Sequence, residues 1–404
     1  MTADFIISHR LDDVRTLALQ QAKYPDVDMR YVVTQISGWQ VARRKLPLWA
    51  GTDGVLYPVH LSMEQCSSQT TAAYKATVIE SMSRRGVLSD DGLTLTDLTC
   101  GYGVDATMMG RVCSRLRAVE RNDELCDIVR HNLPLLGVDD AEVVCGDGVE
   151  VLQEMEHCDV IFLDPARRDS HGAKVVAIED CTPDVIALQS MLLDKADLVM
   201  IKLSPMLDLA SAIKSLTGVC EVHIVSVDGE CKELLFCLTR QAVDDIRIIA
   251  VNLSDKAGVR EERVEFGLSA VHGAECHYTD TLGRYLYEPN ASVMKATGFK
   301  PVAEAYGLDK LHPSTHLYTS DKLLGDFPGR VFETVGWASF NKKELKSLLG
   351  SIKKANITVR NFPSTVADLR KRLKLNDGGD DYLFAATLAD ETKVLIRCQK
   401  VFVK

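Results

Sequence analysis

The fold is decided by residues 94–106, which read Thr-Leu-Thr-Asp-Leu-Thr-Cys-Gly-Tyr-Gly-Val-Asp-Ala. A short strand-like run ends near Leu98, and the apolar pattern predicts a helix from about Val104. Glycines between the two, at 101 and 103, would let the backbone approach a ligand at the carboxyl edge of an α/β sheet. A tight strand–helix turn with no ligand is the simpler interpretation, so the flanking sequence has to decide.

The flanking sequence alternates strands and helices regularly. Strand-like runs at 115–120, 142–145, 159–164, 197–203 and 220–227 are mostly separated by helical segments, which predicts a parallel sheet covered on both faces. A last run, 232–238, follows after only a few residues, which suits a hairpin and therefore one antiparallel strand. The predicted fold class is α/β, with a Rossmann-like seven-stranded sheet preceded by a helical segment over 1–63.

Composition indicates a globular chain with an uneven distribution of charge. The 404 residues are 46% apolar and 26% charged, which suits two or three domains. Forty-seven Lys and Arg against 57 Asp and Glu give a formal charge of −10, which excludes a uniformly basic nucleic-acid-coating protein. Residues 341–404 nevertheless hold 14 Lys and Arg and 7 Asp and Glu, a balance of +7, so residues 1–340 carry 33 − 50 = −17. This pattern indicates a basic C-terminal module attached to an acidic body.

The twelve cysteines show no C-x-x-C spacing, and many lie in apolar runs. We therefore expect buried free thiols, with no metal site and no disulfide. No run approaches the ~18 apolar residues that cross a bilayer, and the N-terminus lacks a basic start followed by an apolar stretch. A soluble cytoplasmic protein without membrane association is expected, and its oligomeric state stays open. The cysteines in apolar runs are Cys145, Cys158, Cys220, Cys237 and Cys398.

Acidic residues follow three further strands. Glu120 ends the second strand, where a carboxylate can accept hydrogen bonds from the ribose hydroxyls of a nucleotide-like cofactor. Asp147 follows the third, where it could face an adenine amino group, although an ordinary helix N-cap is an equally good interpretation. The fourth strand ends in Asp164-Pro-Ala-Arg-Arg168, a combination that packing alone explains poorly.

In order and spacing, the strings DLTCGYGVD, AVERND, CGDG and FLDPARR resemble the motifs of class I S-adenosylmethionine-dependent methyltransferases, over about residues 64–240. The resemblance implies that S-adenosyl-L-methionine is the cofactor. Asp97 and the glycines would surround its methionine part, Glu120 would hold the ribose, and Asp147 would face the adenine. The full set of cofactor residues implied in this way is Asp97, Thr99, Cys100, Gly101, Gly103, Asp105, Glu120, Arg121, Asp147, Gly148 and Asp164.

Further strings narrow the resemblance to a bacterial group that joins such a methyltransferase to a C-terminal THUMP-like domain. They are EQCSS (64–68), TAAYKA (71–76), IKLSP, SVDGE, LYEPNASVMKA (286–296) and residues 360–385. This implies a methyltransferase domain over 64–241, a ferredoxin-like α+β module over 242–335 and a THUMP-like domain over 336–404. THUMP domains generally bind RNA, so RNA is the expected partner. Its phosphates would be gripped by Arg370, Lys371, Arg372 and Lys374, unless these form only a solvated helix face.

The sequence favours an exocyclic amino group of a base in RNA as the methyl acceptor. Many relatives carry Asp-Pro-Pro or Asn-Pro-Pro and then an aromatic residue where this chain has Asp164-Pro165-Ala166-Arg167, and the region also resembles trimethylguanosine-synthase-like enzymes. A guanidinium can stack on a base or contact phosphate. The predicted catalytic residues are Asp164, Pro165, Arg167 and Lys202, with Arg167 and Arg168 holding the substrate.

Two alternatives remain open. Ribose 2′-O-methyltransferases use a Lys-Asp-Lys-Glu set, and Lys75, Asp164, Lys202 and Glu233 occur here in that order. In that scheme a lysine activates the hydroxyl, whereas the simpler interpretation makes Lys75 a helix surface charge and Lys202 a strand-end lysine. A non-catalytic RNA-binding protein with a vestigial methyltransferase fold is the other alternative.

Overall fold

The computed structural model describes residues 2–89, 92–167, 178–256, 261–350 and 352–402. The chain divides into two compact units. Unit 1 comprises residues 1–221 and 233–243, and unit 2 comprises residues 222–232 and 244–404. No helix among the described residues is long and apolar enough to cross a membrane.

Unit 1 begins with helices, as the apolar spacing predicts. Val32 and Ile36 lie fully buried on one face of the third helix, and the Asp28 side chain caps that helix by accepting the Tyr31 N–H at 3.1 Å. Ser68 caps the sixth helix in the same way, accepting the Thr71 N–H at 3.2 Å. The six helices are α1 (Thr2–His9), α2 (Val14–Leu19), α3 (Met29–Lys45), α4 (Pro47–Gly51), α5 (His60–Gln65) and α6 (Gln69–Arg84).

The seven predicted strands all lie in one mostly parallel sheet of nine strands, and one of the seven is reversed. The seven are β1 (Thr94–Asp97), β2 (Arg115–Glu120), β3 (Ala141–Cys145), β4 (Cys158–Leu163), β7 (Ala196–Leu203), β8 (Val219–Val227) and β9 (Glu230–Leu238). The short strands β5 (Ala166–Arg167) and β6 (Cys181–Thr182) pair with each other beside it. The order is β8-β9-β7-β4-β1-β2-β3, and β9 runs antiparallel to β7. The strands β3, β2, β1, β4 and β7 are parallel, so their carboxyl ends meet at one edge.

Helices connect most of these strands, and the central strands are buried almost throughout, which fits near-continuous apolar runs covered on both faces. The helices are α7 (Val104–Gly110), α8 (Asp123–Leu135), α9 (Gly148–Glu154), α10 (Val185–Lys195) and α11 (Leu209–Ser215). The predicted α/β fold class with its one antiparallel strand is confirmed.

Unit 2 is an α+β assembly. The antiparallel strands β10 (Arg247–Leu253) and β11 (Glu262–Gly267) extend the part of β8 that belongs to this unit. A second sheet has the order β13-β14-β12-β15-β18-β17-β16, in which β16 and β17 are parallel. Its strands are β12 (Tyr285–Pro289), β13 (Asp309–His312), β14 (Thr315–Ser320), β15 (Gly329–Ser339), β16 (Asn356–Arg360), β17 (Asp381–Thr387) and β18 (Lys393–Lys400). The helices are α12 (Ala270–Gly273), α13 (Ala291–Lys295), α14 (Phe299–Tyr306), α15 (Lys342–Leu349) and α16 (Val366–Leu373).

In the second sheet, successive residues of a strand belong to two different apolar clusters. Phe384 and Ile396 belong to one cluster, together with Phe332. Leu383 and Leu395 belong to the other, which also contains Leu345 of α15 and Leu369 of α16. Successive strand residues point to opposite faces, so both faces of this sheet are covered.

The cysteines depart from the sequence prediction at one place. Cys126 of α8 and Cys145 of β3 form a disulfide with a Cα–Cα distance of 5.9 Å, so the expectation of free thiols is wrong for this pair. The two positions are adjacent because α8 packs beside β3, a proximity that cysteine spacing does not reveal. The remaining cysteines of the apolar runs, Cys158, Cys220, Cys237 and Cys398, are free and buried as expected.

Candidate active site

The glycine turn at the end of β1 has the conformation that only glycine adopts readily. Gly101 and Gly103 have φ values of +56° and +81°. A Cβ at Gly103 would lie 3.2 Å from a Val129 methyl, whereas one at Gly101 would meet no described atom within 4 Å. Gly103 is therefore required by packing, and Gly101 leaves open space above the turn.

Asp97, at the end of β1, is a buried carboxylate with an uncommitted oxygen. Its Oδ1 accepts the Thr99 N–H at 2.9 Å, but its Oδ2 accepts no hydrogen bond from any described residue. Burial raises the pKa of Asp97 well above its usual range. Thr99 Oγ1 in turn accepts the Asp164 N–H at 2.6 Å, which ties the ends of β1 and β4 together.

Glu120 and Asp147 border the same edge. Glu120 Oε2 accepts the Gly101 N–H at 2.9 Å and Oε1 accepts the Asn122 N–H at 2.9 Å, so this side chain braces the glycine turn. Asp147 caps α9 through the Val149 N–H at 2.7 Å and pairs with Arg121 at 2.5 Å. The helix-cap interpretation of Asp147 thus holds, and the role at the adenine stays a prediction.

Gly148 follows Asp147 and is constrained by the neighbouring backbone. A Cβ there would lie 2.3 Å from the Leu98 carbonyl oxygen, so the start of α9 can approach β1 only with glycine. Cys100 is buried within the glycine turn, where burial raises the pKa of its thiol well above the usual value.

A continuous series of ion pairs links the ends of β4, β7 and β9 to α6 and α7. Lys75 Nζ lies 2.6 Å from Glu233 Oε1 and 3.0 Å from Asp105 Oδ1. Lys202 Nζ lies 3.7 Å from Asp105 Oδ2 and also pairs with Asp164 Oδ2. We call these five residues, Glu233–Lys75–Asp105–Lys202–Asp164, the buried charge network.

Burial and attraction set the protonation states in the network. Burial disfavours the Lys202 ammonium, but Asp164, Asp105 and Glu233 outweigh it and raise the pKa of Lys202 above its usual value. Burial acts against ionised Asp105 too, yet Lys75 and Lys202 hold the pKa of Asp105 below its usual value. The pKa of Glu233 is raised, chiefly by burial. Lys202 is therefore a permanent cation at neutral pH.

The side chains of the network become more exposed to solvent from Lys75 to Asp164. The Lys75 side chain is 0% exposed and that of Lys202 is 14% exposed, while that of Asp164 is 38% exposed. The alternative interpretation of Lys75 as a helix surface charge does not hold, because its two carboxylate partners keep it in the core. Ser67 joins the network, donating to Asp105 Oδ2 at 2.6 Å and accepting from Lys202 Nζ at 3.0 Å.

The sequence identified four members of this network by their order, but it assigned Asp105 to the cofactor and did not single out Ser67. Ser67 lies in the EQCSS string, which was quoted only for its resemblance. In the structure Asp105 connects the two lysines, which explains why an acid follows the glycine turn at this position.

The structure describes only some of the remaining predicted site residues. Pro165 follows β4 directly, and Arg167 lies in the two-residue strand β5. Arg168 lies outside the described residues, as does the side chain of Arg167. No further geometry is therefore assigned to the two arginines.

In unit 2, the predicted basic cluster on and just after α16 is partly committed to the fold. Arg370 pairs with Asp377 and donates to the Ala355 carbonyl at 3.2 Å. Arg372 donates to the Phe340 carbonyl at 3.3 Å and lies 5.3 Å above the Phe340 ring. Lys371 is exposed, and Lys374 caps the helix in a left-handed conformation.

Comparison with solved structures identifies the family. The chain is 36% identical to a candidate methyltransferase from Porphyromonas gingivalis W83, with a TM-score of 0.86 over 99% of this chain and 98% of that chain. Sequence models of a ferredoxin-like domain and a THUMP domain-like module match residues 285–328 and 329–400. The chain belongs to the family of the Porphyromonas protein, methyltransferases with C-terminal ferredoxin-like and THUMP-like modules.

Curated relatives match only the methyltransferase part. The chain is 32% identical over 77 residues to a protein-L-isoaspartate O-methyltransferase of Thermotoga maritima and 31% identical over 102 residues to one of Nitrobacter winogradskyi. These matches cover 18% and 25% of this chain, and the chain spans 24% and 46% of those proteins. An RNA methyltransferase from Salinibacter ruber, solved with S-adenosyl-L-homocysteine, is 18% identical over 42% of this chain and 95% of that chain, with a TM-score of 0.27.

The edge of the sheet fits S-adenosyl-L-methionine, the cofactor of this methyltransferase fold. Asp97 offers a buried oxygen that no described residue satisfies, which suits the ammonium of the methionine part. The space above Gly101 allows close approach, and Glu120 is held beside it by two backbone N–H groups. A cationic ligand that contains a nucleoside would account for each of these features.

Proposed function

We propose that the protein transfers a methyl group to an exocyclic amino group of a base in RNA, with Asp164 as the group that receives the amine. The observation that carries this proposal is the placement of Asp164, part-exposed at the end of β4 and held from behind by a cationic Lys202. Such a carboxylate can accept a hydrogen bond from an amino group and orient its lone pair. RNA as the substrate is supported by the THUMP-like module and by the positive balance of residues 341–404.

Little acid–base chemistry is required of the protein in this reaction. S-adenosyl-L-methionine supplies an activated methyl group, so the protein mainly has to place the nucleophile in line with it. Asp164 would orient the amine and Lys202 would hold the Asp164 carboxylate in place, with Asp105 and Ser67 fixing Lys202. Pro165 follows Asp164 directly and would border the base.

Ribose 2′-O methylation keeps one observation in its favour, since Lys75, Asp164, Lys202 and Glu233 belong to one network. A lysine that accepts the hydroxyl proton must be neutral and accessible. Lys202 has a raised pKa and Lys75 has no exposed surface, so neither meets both requirements. The geometry therefore favours the amino group.

The substitution Lys202→Arg separates the two reactions. Arginine keeps a cation beside Asp164 but cannot act as a base. Under the proposal we expect transfer to persist within about tenfold, since general-base contributions of 100-fold or more are not involved. Loss of all transfer, with cofactor binding intact, would favour the ribose reaction.

The decisive experiment compares modified nucleosides in RNA from cells with and without the protein. A missing N-methylated base in the deletion strain, restored by the wild-type gene but not by Asp164→Asn, is the expected result. A missing 2′-O-methylated nucleoside would overturn the choice of atom. No difference in any RNA, with no transfer in vitro, would favour the non-catalytic alternative.

A further inference from the structure

Two of the quoted sequence strings, LYEPN (286–290) and RNFPS (360–364), have no role in the proposed methyl transfer. In unit 2 they meet at a single group of ion pairs. Glu288 of β12 pairs there with Arg330 of β15 and with Arg360 at the end of β16. We call these three residues the Glu288 cluster.

The carboxylate of the cluster is buried and divided between two guanidinium groups. Glu288 is 3% exposed. Its Oε2 accepts from Arg330 Nε at 2.7 Å and also from Arg330 Nη2, while its Oε1 accepts from Arg360 Nη2 at 2.8 Å. Each oxygen therefore fixes one arginine, and both guanidinium groups are oriented by the same side chain.

Both arginines remain accessible although they are held in place. The side chains of Arg330 and Arg360 are 45% and 34% exposed. The turn after Arg360 is also fixed, because Asn361 has φ +51° and its carbonyl accepts a hydrogen bond from Thr387 Oγ1. The Asn361 amide nitrogen lies 3.1 Å from His312 Nδ1, which adds a second tie.

The charges at this end of the sheet do not balance. Two guanidinium groups share the Glu288 carboxylate, and Glu391 adds a second carboxylate, which pairs with His312 at 3.0 Å. Buried Lys310 adds a third cation, its ammonium donating to the carbonyls of His312 and Pro313 at 2.5 and 2.8 Å. Burial lowers the pKa of Lys310 to about 8, which still leaves it mostly charged at neutral pH. Burial, with added repulsion from Lys310 and Arg360, lowers the pKa of His316 to about 4. The local potential is therefore positive.

We infer that the Glu288 cluster binds a phosphate group. Guanidinium forks match phosphate oxygens geometrically and remain charged at every physiological pH. Guanidinium groups already fixed by a buried carboxylate lose little side-chain entropy when they bind. Taken with the proposed function, on which this step rests, the ligand is a backbone phosphate of the RNA substrate.

The same reasoning explains why this cluster is a better candidate than the arginines of α16. Arg370 is paired with Asp377, and Arg372 is engaged by a backbone carbonyl and an aromatic ring. Arg330 and Arg360 also make such contacts, with the Phe332 ring at 5.5 Å and the Val359 carbonyl at 3.1 Å. The difference is that Arg370 has a carboxylate partner of its own, whereas the two arginines of the Glu288 cluster together carry one more charge than their shared partner neutralises.

The test measures RNA binding as a function of salt for Arg330→Gln and Arg360→Gln, using fluorescence anisotropy of a labelled RNA stem-loop. Each variant should bind about threefold to tenfold more weakly, and the slope of log K against log salt should become shallower by about 0.7–0.9. Arg284→Gln is the matched control, because Arg284 is an exposed arginine of the same unit paired with Glu333 at 3.0 Å. It should leave both quantities unchanged.

A second pair of variants covers a failure of the glutamine variants to fold. Arg330→Lys and Arg360→Lys keep the charge and a partner for Glu288 but lose the fork. We expect them to retain the salt slope while the affinity falls. RNA affinity and salt slope equal to those of the wild type in folded glutamine variants would exclude RNA as the ligand, and binding of inorganic phosphate that is also unchanged would overturn the inference.

Inorganic phosphate identifies the source of the ligand. If phosphate binds the wild type but not the glutamine variants by calorimetry, while RNA binding is the same in all, the cluster is a phosphate site for a small molecule. If the RNA slope changes, the source is RNA. Failure of the proposed function is recognised separately, because Asp164→Asn should slow transfer strongly without altering the salt slope.

Discussion

Each unit contains a cluster of carboxylates and cations. The cluster in unit 1 has an excess of negative charge, whereas the cluster in unit 2 has an excess of positive charge. In unit 1 the buried charge network sets three carboxylates against two ammonium groups, counting the described residues only. In unit 2 the Glu288 cluster sets one carboxylate against two guanidinium groups. A local excess of charge attracts a ligand of the opposite sign, so such a ligand is favoured at each place. A sulfonium cofactor suits the first excess, and a phosphate suits the second.

The two clusters differ in the burial of their side chains as well as in the sign of their excess charge. Lys75 is sealed in the core, whereas Arg330 and Arg360 are part-exposed. The first arrangement can only position other groups, while the second can contact a ligand directly.

The largest effect is expected from Lys75→Met, which leaves Asp105 and Glu233 buried without their shared cation. Removing one partner from a buried ion-pair group costs about 3–5 kcal/mol in the free energy of unfolding. Denaturant unfolding followed by circular dichroism measures it. Lys232→Met is the control, since Lys232 pairs with Glu230 at 2.8 Å on the surface and should change stability by less than about 1 kcal/mol.

A double substitution tests whether the lost stability comes from the unpaired carboxylates. In Lys75→Met/Glu233→Gln one carboxylate is removed together with the cation, so part of the lost stability should return. Equal stability for Lys75→Met and Lys232→Met would mean that burial of the network is energetically unimportant.

The next largest effect is expected from Asp164→Asn on the rate of methyl transfer. The amide keeps the shape but cannot hold Lys202 or accept the amine with a full charge, so the amine is misplaced and kcat should fall by about a hundredfold. Transfer of a radiolabelled methyl group to RNA measures the rate, and calorimetry should show nearly unchanged cofactor binding. Asp197→Asn, an exposed acid on β7 paired with His157, should retain full activity. Retention of activity in Asp164→Asn would exclude this carboxylate from the reaction.

Glu120→Ala addresses the cofactor site itself. It removes the acceptor of the Gly101 and Asn122 N–H groups as well as the predicted ribose ligand. Hydrogen bonds to a charged group contribute about 1.5–3 kcal/mol each, so we expect affinity for S-adenosyl-L-homocysteine to fall by at least about tenfold. Glu142→Ala, on the neighbouring strand, removes an exposed acid paired with Arg117 at 3.0 Å and should bind normally. Unchanged affinity in Glu120→Ala would contradict the ribose assignment.

The sheet and the order of the motifs could be predicted because their signals are local. Apolar runs, helix lengths and a glycine turn at 101–103 are visible within a few residues of one another, and they predict a parallel sheet with one antiparallel strand. The charge clusters could not be predicted in the same way. Arg330 and Arg360 lie 42 and 72 positions from Glu288, and only the folded sheet brings them together. Lys75 looked like a surface charge because its buried partners are distant in sequence, and Cys126 pairs with Cys145 across 19 positions for the same reason.

The smallest effect concerns Asp97, which tests whether a buried carboxylate of unit 1 awaits a cation. Its folded-state pKa is raised by burial, so its contribution to stability is fully present below the unfolded-state pKa and is lost as pH rises through the folded-state value. Asp97→Asn should therefore be more stable than the wild type at neutral pH, and the difference should shrink as the pH falls towards the ordinary pKa of an aspartate. Thermal unfolding across that range measures it.

Cofactor binding should respond to Asp97 in the opposite direction. A cation next to Asp97 favours its ionised form, so binding to the wild type should release a proton and strengthen as pH rises. Calorimetry of S-adenosyl-L-homocysteine in buffers of different ionisation enthalpy measures that proton, and Asp97→Asn should bind more weakly and release none. A variant that is both less stable and equally proton-releasing would mean that Asp97 serves the fold alone, and the excess negative charge of unit 1 would then need another explanation.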